Sequence, residues 1–306
     1  MKHIAATYFV LNILAGSAFS QSHQATTYLA LGDSIPFGMN VTLVEPYTSK
    51  TPTPAEFVGY PDVVSAVDRT AEVNAGCPGE TSGSFLNSSM LDNGCNSPHI
   101  VPPAAAGYPP VIVPPFKTTY GLHTAYTGAQ MAFAMSQFQT NKNIKLVTLN
   151  IGANDVLLLL PQIEQQCGTN AACAQTILAP VLQTYGANLA QILTEIRSQY
   201  KGTLILMTYY SPQIALNSIT QAVNSVMTQV AKQLSAQPGF ASIGIADAYT
   251  AFQVASIFSG GDACQAGLLI KLPASPYDLS PCDIHPSPLG RDILAATLEL
   301  SLLIQR

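Results

Sequence analysis

Four short segments hold side chains whose types and order suit acyl transfer: Gly32-Asp33-Ser34-Ile35, Gly76-Cys77-Pro78-Gly79-Glu80-Thr81, Gly152-Ala153-Asn154-Asp155 and Asp283-Ile284-His285-Pro286. A serine hydroxyl is a poor nucleophile until a base accepts its proton, and a histidine such as His285 does that near neutral pH. Attack on an ester carbonyl creates an oxyanion, and removing one hydrogen-bond donor aimed at that charge typically costs about 3 kcal/mol. The backbone N–H groups of Ser34 and Gly79 and the side-chain amide of Asn154 supply three such donors. Glycine at 79 lets the backbone come close to a substrate. Each residue also has a plainer explanation: Ser34 as a strand-end cap, Gly79 as a turn, Asn154 as a helix cap, His285 as a packed surface histidine. The four together, each after a strand or strand-like run, favour ester hydrolysis by a serine nucleophile. His23, His99 and His123 stand in no comparable setting and are read as structural or exposed.

The elements that must position these residues are legible as apolar runs. Residues 27–31 form a short buried strand ending at Gly32, 72–74 a weaker second, 146–150 a strong third, 204–207 a strong fourth and 242–245 a fifth. Between them lie amphipathic helical patterns. One face carries Met131, Met135 and Phe138; a second Tyr185, Leu189, Ile192 and Ile196; a third Val223, Val226, Val230 and Leu234. A last helix is capped by Ser287, has Pro288 in its first turn, and is expected to bury Leu289, Ile293, Ala296 and Leu300. Strands alternating with such helices predict a parallel sheet covered on both faces. In open sheets of this kind, reactive groups gather beyond the carboxyl ends of the strands. Ser34, Gly79 and Asn154 follow the first three strands, so three loops converge on one edge and a fourth brings His285.

Two irregular insertions, 42–56 and 92–118, are rich in Pro, Gly, Ser and Thr. The second contains Pro102-Pro103, Pro109-Pro110 and Pro114-Pro115 and is not a regular helix. Its apolar residues either pack as a loop on the core or form a wall or lid over an acyl-binding groove.

The first twenty residues read as a secretory leader. Lys2 and His3 open it, an apolar run reaches Leu14, and Ala18 and Ser20 put small residues at the −3 and −1 positions before Gln21. The run is too short for a membrane helix, and no later stretch is long enough to span a bilayer. The expected organisation is therefore a leader at 1–20 and one α/β domain at 21–306, secreted to an extracellular or periplasmic space. The formal net charge of −5, with no basic patch, argues against nucleic acid as a partner. Only 9% of residues are charged, so aliphatic packing and disulfides must supply much of the stability. The even cysteine count and the leader favour disulfides over metal ligation. Clustering suggests the sequential pairing Cys77–Cys95, Cys167–Cys173 and Cys264–Cys282, and closing one of the longer loops contributes about 3 kcal/mol if unstrained.

These segments resemble the four sequence blocks of the SGNH hydrolase superfamily, also called GDSL esterases and lipases, from about Thr27 to the C-terminal helix. The third block usually reads Gly-x-Asn-Asp, as at Gly152 to Asp155. The resemblance implies a flavodoxin-like three-layer α/β/α sandwich with five parallel strands, no metal and no cofactor. It implies Ser34 as nucleophile, His285 as base, and an oxyanion hole formed by Ser34, Gly79 and Asn154. Three sequential disulfides are similar to those of secreted bacterial members. The implied substrate is a small-molecule or lipid ester; glycan O-acetyl esterases, phospholipases and thioesterases of the superfamily share these residues, and an inactive binding protein on the same fold is the reading from another class. The chain departs from the pattern at one place. The family's last block is usually Asp-x-x-His, but here position 282 is cysteine and the aspartate stands at 283. Either Asp283 orients the imidazole, or a backbone carbonyl near Cys282 does so and the site is a dyad.

Overall fold

A computed structural model describes residues 25–101, 107–275 and 280–305; the expected leader at 1–20 lies outside the described residues. Among the described residues the strands are β1 (Thr27–Gly32), β2 (Ala71–Asn74), β3 (His99–Val101), β4 (Val111–Val113), β5 (Ile144–Asn150), β6 (Thr203–Met207), β7 (Gly244–Ala246), β8 (Leu269–Lys271) and β9 (Cys282–Pro286). The α-helices are α1 (Ser34–Phe37), α2 (Tyr60–Asp68), α3 (Ser82–Leu86), α4 (Phe116–Thr119), α5 (Gln130–Thr140), α6 (Ala153–Leu157), α7 (Leu160–Cys167), α8 (Ala171–Gln199), α9 (Asn217–Ser235), α10 (Ala248–Ala255) and α11 (Pro288–Gln305).

Five strands form one parallel sheet in the order β2-β1-β5-β6-β7. Strands buried on both faces must be apolar throughout, and β1 is buried at every position. Its Tyr28 hydroxyl avoids an unpaired burial by bonding the Thr148 hydroxyl of β5 at 2.8 Å. Helices α2, α10 and α11 pack with one another on one side, and α3 and α5–α9 on the other, giving three layers. The first strand, β1, lies one in from the edge; the chain runs outward to β2 and returns across β1 to β5 at the centre. The winding reverses between β1 and β5, so a crevice opens beyond their carboxyl ends. Ser34 follows one of these strands and Asn154 the other.

The predicted strands all occur, β7 two residues later than expected. Two helical faces differ from the expected ones. On α9 the buried residues include Met227 and Ala231, while Val226 and Val230 are only half-buried. On α11 the expected stripe is overturned: Gly290, Leu294, Ala295, Leu298 and Leu302 are buried, whereas Leu289 and Leu300 are exposed. That helix is apolar nearly all round, so its sequence does not choose a face. Gly290 chooses it. A Cβ at 290 would lie 2.1 Å from the Leu268 carbonyl oxygen, so only glycine allows this turn to press against the segment before β8. Ser287 caps the helix as expected, its hydroxyl accepting from the Gly290 N–H at 3.2 Å.

The insertion at 92–118 is more regular than its prolines suggest. Strands β3 and β4 pair as an antiparallel hairpin, His99 opposite Val113 and Val101 opposite Val111, and α4 follows. The three disulfides join Cys77 to Cys95, Cys167 to Cys173 and Cys264 to Cys282. The last ties the start of β9 to the loop before β8, its antiparallel partner.

Gly290→Ala is expected to lower stability by about 1–3 kcal/mol, because backbone must move to admit the methyl group. Urea unfolding of wild type and variant measures this; an unchanged midpoint would refute the close approach.

Candidate active site

Ser34 is the first residue of α1, directly after β1 and the Gly32-Asp33 turn. Asp33 shapes that turn. Its Oδ1 accepts from the Ile35 N–H at 3.0 Å, and its Oδ2 from the Tyr209 hydroxyl at 2.5 Å. Burial raises the Asp33 carboxyl to about 6, against these two bonds, which favour the charged form. Gln130 grips the turn from behind: its Oε1 accepts from the Gly32 N–H at 2.6 Å and its Nε2 donates to the Gly32 carbonyl at 2.9 Å.

His285 arrives on β9, and its Nε2 lies 2.9 Å from Ser34 Oγ. Its Nδ1 lies 2.5 Å from Asp283 Oδ2. The two-residue offset reaches because the segment is extended: alternate residues of a strand share a face. The Cys282 carbonyl, the competing partner, accepts instead from the Ser280 hydroxyl at 2.6 Å. Tyr210 donates to the Ile284 carbonyl at 2.7 Å and pins the strand between the two functional residues. Burial alone pulls the His285 pKa down and pushes the Asp283 pKa up. The opposite charge and shared hydrogen bond outweigh it in both, so His285 stands above the ordinary histidine value and Asp283 below the ordinary aspartate value.

Ser34, Gly79 and Asn154, whose N–H groups are the expected oxyanion donors, line one cavity with His285. Among the described residues, neither the Ser34 nor the Gly79 N–H is committed to a protein acceptor. Gly79 has φ +84°, and a Cβ there would meet the Asn93 carbonyl oxygen at 2.3 Å, so the position requires glycine for its backbone angle and its space. The Asn154 amide is held at both ends. Its Nδ2 donates to the Glu80 carbonyl at 3.0 Å, leaving one N–H, and its Oδ1 accepts from Asn93 Nδ2 at 3.0 Å. Asp155, the neighbour in that block, accepts from the Ser82 N–H at 2.8 Å and from the Ser82 hydroxyl at 2.5 Å, binding the loop after β5 to α3.

Three participants were not expected from the sequence: Asn93, Glu80 and Gln130. Asn93 also donates its N–H to the Gly79 carbonyl at 2.8 Å, so one residue contacts two donor-bearing segments. A signal for it existed, since Asn93 lies two residues before Cys95 and Gly79 two after Cys77, and that pair is bridged. Glu80 is buried beneath. Burial raises its carboxyl to about 7, although Ser84 and Gln130 bond it at 2.6 and 3.3 Å. Cys77, Glu80 and Cys95 cluster closely, but their sulfurs are bonded to each other and offer no thiolate to a metal.

Two cavities open at Ser34. The narrower, about 80 Å³, is apolar and runs between α6 and α9, past Val156, Leu160, Leu216, Ile219 and Val223. The wider, about 310 Å³, is walled by both insertions and by His285. His99, set aside on sequence, lines it, and Tyr209 and Tyr210 line the narrower one.

Comparison with known proteins agrees with this arrangement of blocks. The GDSL-like Lipase/Acylhydrolase family matches residues 30–293. The chain belongs to that family. No protein with a curated description matches it. Among solved structures, the lipase Lip_vut3 from a goat rumen metagenome superposes with a TM-score of 0.50 at 16% identity, covering 90% of this chain and 97% of its own. An acetyl xylan esterase from Geobacillus stearothermophilus gives 0.46 at 16% identity, covering 90% and 94%. The first likeness supports the GDSL hydrolase fold; at these identities neither bears on substrate.

Activity of this GDSL-family chain is expected to need neutral His285, so kcat/KM should fall as pH drops through a pKa above the ordinary histidine value. Asp283→Asn removes the charge that raises it. The acidic limb should move to lower pH and kcat should fall by at least about two orders of magnitude. A pH–rate profile of both proteins decides this; near-normal activity in the variant would assign orientation of the imidazole elsewhere. Asn93→Ala leaves Asn154 Oδ1 without its donor and frees the amide to turn. It should lower kcat about ten- to a hundred-fold with little change in KM, and a rise in KM alone would mean Asn93 does not position the donor.

Proposed function

We propose that the chain is a secreted serine carboxylester hydrolase that works through an acyl-enzyme. The observation that carries this reading is the continuous line of contacts from Asp283 through His285 to Ser34, at 2.5 and 2.9 Å. In this scheme His285 Nε2 takes the Ser34 proton as Oγ attacks the ester carbonyl carbon. The carbonyl oxygen becomes anionic against the N–H groups of Ser34 and Gly79 and the amide of Asn154. The ester C–O bond then breaks, and the proton on His285 passes to the departing alcohol. Water repeats the sequence: it gives a proton to His285, attacks the acyl carbon and restores the serine. Asp283 holds Nδ1 and stabilises the imidazolium without itself taking the proton. Secretion is supported by the leader-like residues 1–20 and by three disulfides, which persist in oxidising compartments.

The narrower cavity bears on the acyl group. Its volume of about 80 Å³ is roughly half of the ~150 Å³ apolar cavity that accommodates benzene. It therefore suits an acyl chain of about three or four carbons. A glycan O-acetyl esterase is the second reading, favoured by the same small cavity.

Hydrolysis of p-nitrophenyl acetate, butyrate and octanoate by the mature protein, beside folded Ser34→Ala, tests both points. Wild type should prefer acetate or butyrate over octanoate, and Ser34→Ala should lose at least about 10⁴-fold in kcat. Equal turnover by the two proteins would remove Ser34 as nucleophile, and an octanoate preference would reject the narrow cavity as the acyl site.

A further inference from the structure

The two cavities that meet at Ser34 differ in one wall that matters for chemistry. When the tetrahedral intermediate collapses, the bond from the acyl carbon to the alcohol oxygen breaks and His285 Nε2–H gives that oxygen its proton. The departing oxygen must then lie within hydrogen-bond reach of Nε2. His285 lines the wider cavity and is absent from the walls of the narrower one. The alcohol therefore leaves on the wide side, and the acyl chain occupies the narrow side.

The wide side is walled by this chain's own insertions as well as by residues of the four blocks. Val44, Glu45 and Tyr47 come from the first, and Asn93, Val113 and Phe116 from the second. Its charge is one-signed. With His285 neutral, as catalysis requires, Asp283 keeps a negative charge at the floor of this cavity, and burial lowers the His99 pKa. Glu45, exposed at the rim, adds a second negative charge. No lysine or arginine is among the described lining residues. Lys117, next in sequence to Phe116, donates to the Gly128 carbonyl at 2.6 Å and lies over the Tyr126 ring. The net charge of −5 adds to the repulsion of an anion. Glu45, Asn93 and His99 offer hydrogen-bonding groups beside apolar Val113 and Phe116. The volume of about 310 Å³ is about twice that of a benzene-sized cavity, room for roughly a dozen heavy atoms.

We propose that the wider cavity receives the alcohol portion of the ester, that this alcohol is an uncharged polyhydroxy compound of about the size of one sugar, and that Glu45 selects against alcohols bearing phosphate or carboxylate. The proposal rests on the ester-hydrolase reading above. It places the enzyme after reactions that acylate sugars or polyols, and away from phospholipids and acyl thioesters of anionic carriers.

Five butyrate esters with one acyl group test it: glycerol monobutyrate, butyrylated glycerol phosphate, butyrylated glucose, methyl butyrate, and p-nitrophenyl butyrate as a reference. Wild type should show kcat/KM for the glycerol ester at least about five-fold above that for the phosphate ester, and Glu45→Gln should narrow this ratio about two- to five-fold. Val113→Trp, which fills the wide cavity, should depress butyrylated glucose relative to methyl butyrate while leaving the acetate-to-octanoate preference in place. Equal use of the neutral and phosphate esters by wild type would overturn the charge selection. A shift of acyl preference in Val113→Trp would overturn the assignment of the two sides. Both results leave the ester-hydrolase reading standing. No turnover of any ester, p-nitrophenyl butyrate included, would instead reject that reading and this proposal with it.

Discussion

A buried imidazole strung between a carboxylate and a hydroxyl is the constraint that the rest of this structure serves. His285 is 8% exposed, and a histidine that desolvated is stable in its charged form only beside an opposite charge. Asp283 supplies that charge because β9 is extended, and β9 stays extended because it is held from several directions. Cys264–Cys282 fixes its first residue, β8 pairs along it, and Tyr210 bonds the carbonyl between the two functional residues. Gly290 lets α11 press against the segment leading into β8, which seats the β8–β9 pair on the body of the domain. None of these groups touches a reacting atom. Each narrows the positions available to Nε2.

The proposed oxyanion donors are organised around a different clamp. Gly79 and Asn154 come from separate loops, and nothing in their own loops would align them. Asn93 joins them through one backbone and one side-chain hydrogen bond, and Cys77–Cys95 holds its loop against the Gly79 loop. Beneath them Glu80, Ser84 and Gln130 form a buried polar network that ends on both backbone groups of Gly32. Networks of this kind specify one arrangement when fully bonded. The insertion that looked like a loop or lid thus contributes a residue behind the donors as well as a wall of the wider cavity.

The asymmetry of the two cavities has the same origin. The narrower one lies between helices that follow the sheet strands, so its walls are core-like and apolar. The wider one is framed by the insertions, which are not part of the sheet's own packing and add Glu45, Asn93 and His99 to the polar residues of the blocks. Ser34 is placed by the sheet, and the outer walls of the wide side by segments added to it.

The sequence by itself determined the five sheet strands, their alternation with helices and the four segments that present Ser34, Gly79, Asn154 and His285, though the last of these is strand β9 and not a loop. Apolar runs and block motifs are local, and locality is what a sequence records directly. It left open whether Asp283 or a carbonyl meets His285, because that depends on β9 being extended, which its pairing with β8 imposes. It misplaced the buried face of α11, because that helix is apolar around its circumference and only the close approach at Gly290 selects a side. Asn93, Glu80 and Gln130 escaped notice for a related reason. Each acts through at least one partner 50 or more residues away, as with Gln130 on Gly32, and such pairings exist only once the chain has closed on itself.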